Sequence, residues 1–555
     1  MSSGDSVQAR PAPTPRVGWW TPGSRPPVGG ASALAAALRA VHSPICLVEV
    51  DRQVAAASGG QALLGGAPPP GALPLLAWAP ALPPASLGEA SFRRDHGLRY
   101  AVVAGSMANG IASEALVETM GEHGMLGFFG SAGLDPARVE AAIDRLQRSL
   151  GDRAHGFNLI HSPNEPDLEA AVAALYLRRQ VRRIEASAYL RLTLPLLRYR
   201  YAGIHRGPDG EVRAPNQVMA KVSRLEVARQ FLAPAPAQML AALVAEGTLT
   251  AGEAELAATL PVASDLTAEA DSGGHTDNQA ALVLPSVLAL RDEMQARHGH
   301  SIRVGAAGGI ATPLSTAAAF AMGAAYVVTG SVNQACLESG SSPVVREMLS
   351  KAGPADVTMA PAADMFEMGV QVQVLKWGTM FPVKARKLYE LYRTHDSLES
   401  LPADARTTVE RDYLRCTVEE AWASTKAFFE RRDPRQVARG EADPKHRMAL
   451  VFRSYLGQSS RWANAGDPTR RVDYQVWCGP AMGAFNEWVR GSFLESVDQR
   501  RAAVVAGNLL LGASVLTRAA WLRAQGVELP AEAARFAPLP SDELSRLLEE
   551  TAVAP

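Results

Sequence analysis

Paired cysteines are missing. The four that occur, Cys46, Cys336, Cys416 and Cys478, lie far apart with no CxxC pair, so neither a zinc site nor a disulfide framework is indicated and a reducing cytoplasm fits. A surplus of either charge is missing as well. With 55 Lys+Arg against 56 Asp+Glu, the chain has no electrostatic footprint for nucleic acid or an anionic membrane, which favours a small-molecule or protein-borne substrate. No apolar run follows the polar, proline-rich start MSSGDSVQARPAPTPR, so a secretory signal is not expected. The most apolar stretch, 502–517, holds Asn508 and two glycines. It falls short of the roughly 20 apolar residues that span a bilayer and reads as a buried helix. Internal repeats, heptad arrays and a GxGxxG fingerprint are also absent.

What is present is material for a large core: 47% of the 555 residues are hydrophobic, enough for two to four domains. The first thirty residues are rich in Pro, Gly and Ser and read as a loosely held arm. A helix is expected over 31–41 and a strand at ICLVEV, 45–50, followed by irregular connection to about Pro84. Residues 1–94 therefore read as a small extension packed on the main domain.

From Leu98 the pattern alternates. LRYAVVAG, MLGFFG, HGFNLIHS, 182–187, 217–222, 262–270, 302–307 and 325–329 are strand-like, with helices expected over 111–124, 136–150 and 166–179. About eight strands alternating with helices predict an α/β fold, a TIM (β/α)8 barrel over 95–360. Two short helical runs in 237–258 predict an inserted helical hairpin, about 234–260. Beyond Pro361 helical stretches dominate, so 361–555 is expected to be a mainly helical C-terminal region.

Three stretches carry chemistry. In EADSGGHTDN, 269–278, a strand end runs through Gly273 and Gly274 into His275. The glycines carry no bulk over a bound ring, and a histidine at the end of a barrel strand is placed to donate a hydrogen bond or proton near pH 7. RVGAAGGIATP and AAYVVTGSV put Gly308, Gly309, Gly330 and Ser331 at the ends of the last two strands, where backbone amides and helix N-termini make a phosphate cradle. AGSMANG places Gly105 and Met107 at the end of the first strand, able to pave a site for a flat ring, although methionine there is more often core packing. Asn158 and Lys221 are polar residues on apolar strands, a costly arrangement unless each finds a partner in the protein or in a ligand. Lys376, Lys384, Arg386, Lys387 and Arg393 form a basic cluster that reads either as a docking surface for an acidic carrier or as an ordinary solvated face.

In this order, AGSMANGIASEALV, GFNLI, AKVSR, EADSGGHTDN, AAGGIATP and VTGSV resemble the nitronate monooxygenase and flavin-dependent enoyl reductase superfamily. With LKWGTMFPVKARKLYELY and WCGPAMGAFNEW, the resemblance is closest to its PfaD branch, the trans-acting enoyl reductases of polyketide and polyunsaturated fatty acid synthases, over about 95–495. It implies an FMN-binding barrel that takes hydride from NADPH or NADH and reduces the enoyl thioester of an acyl carrier protein in a polyketide synthase. By the same resemblance, Gly105 and Met107 lie beside the flavin and Asn158 and Lys221 at its polar edge. Gly273 and Gly274 flank it, Gly308, Gly309, Gly330 and Ser331 hold its phosphate, and His275 is catalytic. A nitronate-oxidising flavoprotein and a flavin-binding scaffold without turnover are the other functions to weigh. The α-carbon's proton donor stays open among His275, a tyrosine of the C-terminal region and water.

Overall fold

The computed structural model describes residues 16–163, 165–270, 279–533 and 535–549. They divide into two compact units, 88–506 and 1–87 together with 507–555. The barrel and the helical stretch up to 506 therefore share a unit. Residues 507–555, expected as the end of the C-terminal region, group with the N-terminal residues.

The larger unit contains a closed parallel barrel: β1 (Val102–Ala104), β2 (Leu126–Phe129), β3 (Gly156–Ile160), β4 (Arg183–Ser187), β5 (Gln217–Val222), β6 (Asp265–Glu269), β7 (Arg303–Ala307) and β8 (Val327–Thr329). Each pairs with the next, and β8 closes on β1 through Val327 opposite Val102. Because these strands are covered on both faces, they read in sequence as apolar runs rather than alternating ones. Local chemistry starts the helices between them: Ser113 caps Glu114–Glu122, Asp135 caps Pro136–Leu150, and Thr312 forms a reciprocal cap with Ser315 ahead of Pro313–Ala321. Helices Ala237–Ala245 and Ala251–Ala257 make the hairpin expected between β5 and β6.

At the end where the strands begin, the barrel is plugged. Tyr326 stacks on Phe92 at 4.2 Å between ring centroids, and its hydroxyl lies 2.8 Å from Thr267 Oγ1. The ring fits because Gly305 has no Cβ to collide with it. Beside it the buried Asp265 accepts from His96 Nε2 at 2.8 Å and Arg303 Nε at 2.6 Å, while Arg303 also reaches Asp95 at 2.6 Å. Burial alone would raise the Asp265 pKa, but His96 and Arg303 outweigh it and hold the carboxyl below its usual range.

After the barrel comes an antiparallel hairpin, Val357–Pro361 with Gln371–Leu375, where the sequence suggested only the approach to helices. Helices Phe381–Thr394, Val418–Arg432 and Pro444–Ala465 then pack around a core that includes Phe366, Leu388, Phe452 and Tyr455. The basic cluster does not form one solvated face. Lys384 is mostly buried, with its ammonium 2.5 Å from fully buried Asp473, which also accepts from Tyr455 at 2.9 Å. Lys387 pairs with Glu390 one turn away.

The smaller unit holds a six-stranded sheet. Its order is Val28–Gly29, Gln53–Ala57, Ile45–Val50, Leu73–Ala79, Gly18–Thr21 and Gln61–Leu64. Leu73–Ala79 lies inside the sheet although the sequence reads as irregular there. The prolines before it, and Pro74 within it, masked a strand that pairs on both sides. Helix Ala502–Ala524 has the length and composition to cross a membrane, but 83% of its most apolar window is buried inside the protein. Its Arg518 donates to the carbonyls of Leu38, Ala40 and Ser43, and burial lowers its pKa to about 10.

Candidate active site

Parallel strands bring all their C-terminal ends to one side, and there a cavity of about 980 Å³ opens. Its floor is built from the loop after β1 (Gly105 to Asn109), Asn158 and Ile160 of β3, Lys221 of β5, Glu269 of β6, Gly308 after β7, and Gly330 and Ser331 after β8. Its far wall comes from the helical region: Met365 and Val372, Thr425, Phe428 and Phe429, Arg453, Gly457 and Arg461, and Trp477. The volume is near the upper end for small-molecule sites.

Seven of the expected site residues therefore meet at one cavity: Gly105, Met107, Asn158, Lys221, Gly308, Gly330 and Ser331. Gly309 is exposed and not part of its wall. Gly273, Gly274 and His275 lie outside the described residues. The glycines serve different ends. A Cβ on Gly105 would stand 2.8 Å from Val328 Cγ1, so its smallness answers to barrel packing, whereas a Cβ on Gly330 would meet nothing within 4 Å among the described residues. Met107 is fixed by its backbone, whose carbonyl accepts from Ala112 N at 3.1 Å and presses on Gly130, where a side chain would collide with it.

The two polar strand residues find partners in the protein. Asn158 Nδ2 donates to Glu185 O and Ser187 Oγ, each at 3.0 Å. Lys221 Nζ lies 3.3 Å from Glu269 Oε1. Burial works against its charge, but Glu269 and then Glu185 more than compensate and hold the ammonium above its ordinary range. Lys221 is thus a fixed positive charge on the floor.

Sequence reasoning missed Glu185. This fully buried carboxylate in β4 accepts from Ser106 N at 2.9 Å and from the Ser106 hydroxyl, while its Oε1 has no hydrogen-bond partner among the described residues. A lone carboxylate inside the strand RRIEAS was the available sign. Also missed was a buried group beside the cavity, where Glu169 accepts from Tyr189 at 3.0 Å, from Thr193 and from His161 Nδ1 at 3.2 Å. Tyr189 is the tyrosine of the described lining, and it comes from the barrel rather than from the C-terminal region. Burial, followed by Glu169, drives its pKa far up.

The fold and site define a (β/α)8 barrel whose ligand cavity is completed by an appended helical region. Residues 92–385 match the nitronate monooxygenase family, and the chain belongs to that family. Residues 395–474 match a second family, "[Acyl-carrier-protein] S-malonyltransferase, inserted helical domain". Among solved structures, the enoyl reductase domain of MlnA from the macrolactin biosynthesis cluster of Bacillus amyloliquefaciens is 39% identical, with a TM-score of 0.75, over 79% of this chain and 99% of that one. A polyunsaturated fatty acid synthase component of Thraustochytrium sp. is 46% identical over 82% of this chain but only 31% of its own length. Polyketide biosynthesis protein PksE of Bacillus subtilis is 44% identical over 78% of this chain and 56% of its own. The chain thus spans from just under a third to a little over half of these two relatives.

Proposed function

We propose that this chain is an FMN-dependent, trans-acting enoyl reductase that uses NADPH or NADH to reduce the α,β-double bond of an enoyl thioester on an acyl carrier protein, in the cytoplasm, during polyketide or fatty acid biosynthesis. The observation that carries the proposal is the cavity itself. Its floor is a strand-end site with an open glycine and a held cation, its far wall includes residues of the 395–474 segment, and the 39%-identical enoyl reductase domain matches 79% of the chain.

The floor fits FMN. Gly308 and Gly330, with Ser331, offer one phosphate cradle without side-chain bulk. Gly105, Met107, Asn158 and Lys221 would hold the ring. When bound, FMN supplies hydride transfer between a nicotinamide and the β-carbon of the thioester. Lys221, kept charged by Glu269 and Glu185, sets a positive potential where negative charge develops during reduction. The helical wall encloses the site against water and strengthens that potential. The α-carbon takes its proton from His275 or water. Tyr189 is unsuited to this, because its hydroxyl is committed to Glu169 and its acidity is suppressed.

The test is anaerobic. NADPH or NADH should bleach the flavin, and an enoyl thioester should restore its colour within seconds. Reoxidation by a nitronate but not by the thioester would favour a nitronate-oxidising enzyme. A flavin that neither nicotinamide reduces would leave a scaffold.

A further inference from the structure

The far wall carries a charge pattern that the reaction does not require. Five arginines line the cavity, and three are tied down. Arg432 grips Glu165 through two nitrogens at 2.6 and 3.0 Å, Arg453 donates to Ala363 O and Glu367, and Arg224 pairs with Glu226. The other two, Arg431 and Arg461, have no hydrogen bond or ion pair with any described residue. Of the three carboxylates on the same described lining, Glu165 is taken by Arg432 and Glu269 by Lys221, and Asp364 is engaged as well.

Their placement differs from that of an ordinary solvated arginine. Phe428, Arg431 and Arg432 stand at i, i+3 and i+4 on helix Val418–Arg432, so they share a face. The Arg461 guanidinium, from the neighbouring helix Pro444–Ala465, lies 5.5 Å from the Phe428 ring centroid, and that of Arg432 lies 5.6 Å from it. Arg461 is exposed at the cavity rim, yet desolvation by the surrounding atoms, followed by the like charge of Arg432, lowers its pKa. One turn before Arg461 is Gly457, where a Cβ would meet nothing within 4 Å. A glycine inside a helix costs about 1 kcal/mol relative to alanine, and no described neighbour requires it here. It keeps the wall clear beside the two guanidinium groups.

We propose that Arg431 and Arg461 form a phosphate subsite on the exposed side of the cavity, which takes a phosphate of the elongated substrate while its reacting end lies at the barrel floor. Planar guanidinium forks suit phosphate oxygens, and a doubly unpaired cationic wall gains most from an anion. The inference rests on the reductase reading and deepens it. The phosphate comes either from the pantetheine arm of the carrier or from the adenosine 2′ position of NADPH.

Dissociation constants measured by calorimetry on the flavin-loaded protein, without turnover, separate these sources. One pair of probes is a saturated acyl thioester of 4′-phosphopantetheine against the same thioester of pantetheine. The other is NADP⁺ against NAD⁺. In the Arg431→Gln, Arg461→Gln double variant, the preference for the phosphorylated member of one pair should fall about tenfold or more. The affected pair identifies the source. The phosphate-free members report the fold, and their affinities should stay unchanged. The proposal is overturned if wild type shows no phosphate preference in either pair, if the variant keeps both preferences, or if phosphorylated and phosphate-free members weaken alike. Because no turnover is measured, a failed reductase test and a failed subsite remain distinguishable.

Discussion

The two ends of the barrel are built on opposite rules. Where the strands begin, the buried charges are answered: Asp265 takes hydrogen bonds from His96 and Arg303, Arg303 also holds Asp95, and Tyr326 plugs the axis against Phe92 and Thr267. Where the strands end, groups are left wanting. Among the described residues, Glu185 Oε1 is buried without a partner, a Cβ on Gly330 would meet nothing within 4 Å, and two arginines of the far wall have no ion-pair partner. The first end can therefore be read as stability and the second as binding, a division expected of barrels whose sites sit at the C-terminal face.

Substitutions at the two ends should separate these roles. The largest effect is expected from Gly330→Asp, which puts a carboxylate into the proposed phosphate cradle. Mass spectrometry of released cofactor should find the protein folded and empty, and a fully loaded variant would move the cradle elsewhere. His275→Ala should retain flavin yet lose about 10² to 10⁴ in the rate of thioester reduction. Stopped-flow reoxidation measures this, and an unchanged rate would make the histidine structural.

At the closed end, Asp265→Ala should cost about 3–5 kcal/mol of stability, because Arg303 loses its buried counter-charge and His96 its hydrogen-bond acceptor. Denaturant midpoints report this, and flavin bound per folded molecule should not change. The pH dependence has a definite sign. Since the Asp265 pKa is held below its ordinary 3.8, its contribution is fully present above that value and is lost as pH falls through the lower folded value. The stability gap between wild type and Asp265→Asn should therefore narrow only in acid. The smallest effect should come from Glu185→Gln, which keeps an acceptor for Ser106 and removes a half-satisfied charge. A change in stability within about 1 kcal/mol is expected, together with weaker flavin binding as Lys221 loses one of its two supporting carboxylates. A much larger loss of stability would place Glu185 with the closed end.

The barrel was legible because its evidence is local. Buried parallel strands are apolar runs, and Ser113, Asp135 and Thr312 mark helix starts within a few residues. The floor of the cavity was legible for the same reason, since glycines at strand ends sit in short motifs. The far wall was not. Phe428 and Arg461 resemble any helix residues, and only packing brings them over a floor that lies between 97 and 356 positions earlier in the chain. Lys384 looked like surface charge because its partner, Asp473, is 89 residues away. The strand Leu73–Ala79 was hidden by prolines, whose local preference gave way to pairing on both sides.

Arg518 also imposes an order in time. The carbonyl it reaches on Leu38 was made 480 residues earlier. At translation rates of about 5 to 20 residues per second, roughly half a minute to a minute and a half separates the two. During that interval the nascent N-terminal sheet waits on the ribosome without the arginine that closes the end of its helix Ala31–Arg39. Premature termination shortly before Arg518 would therefore release a complete barrel joined to a sheet that has lost this tie. Quality control would encounter the defect among residues made long before the break rather than beside it.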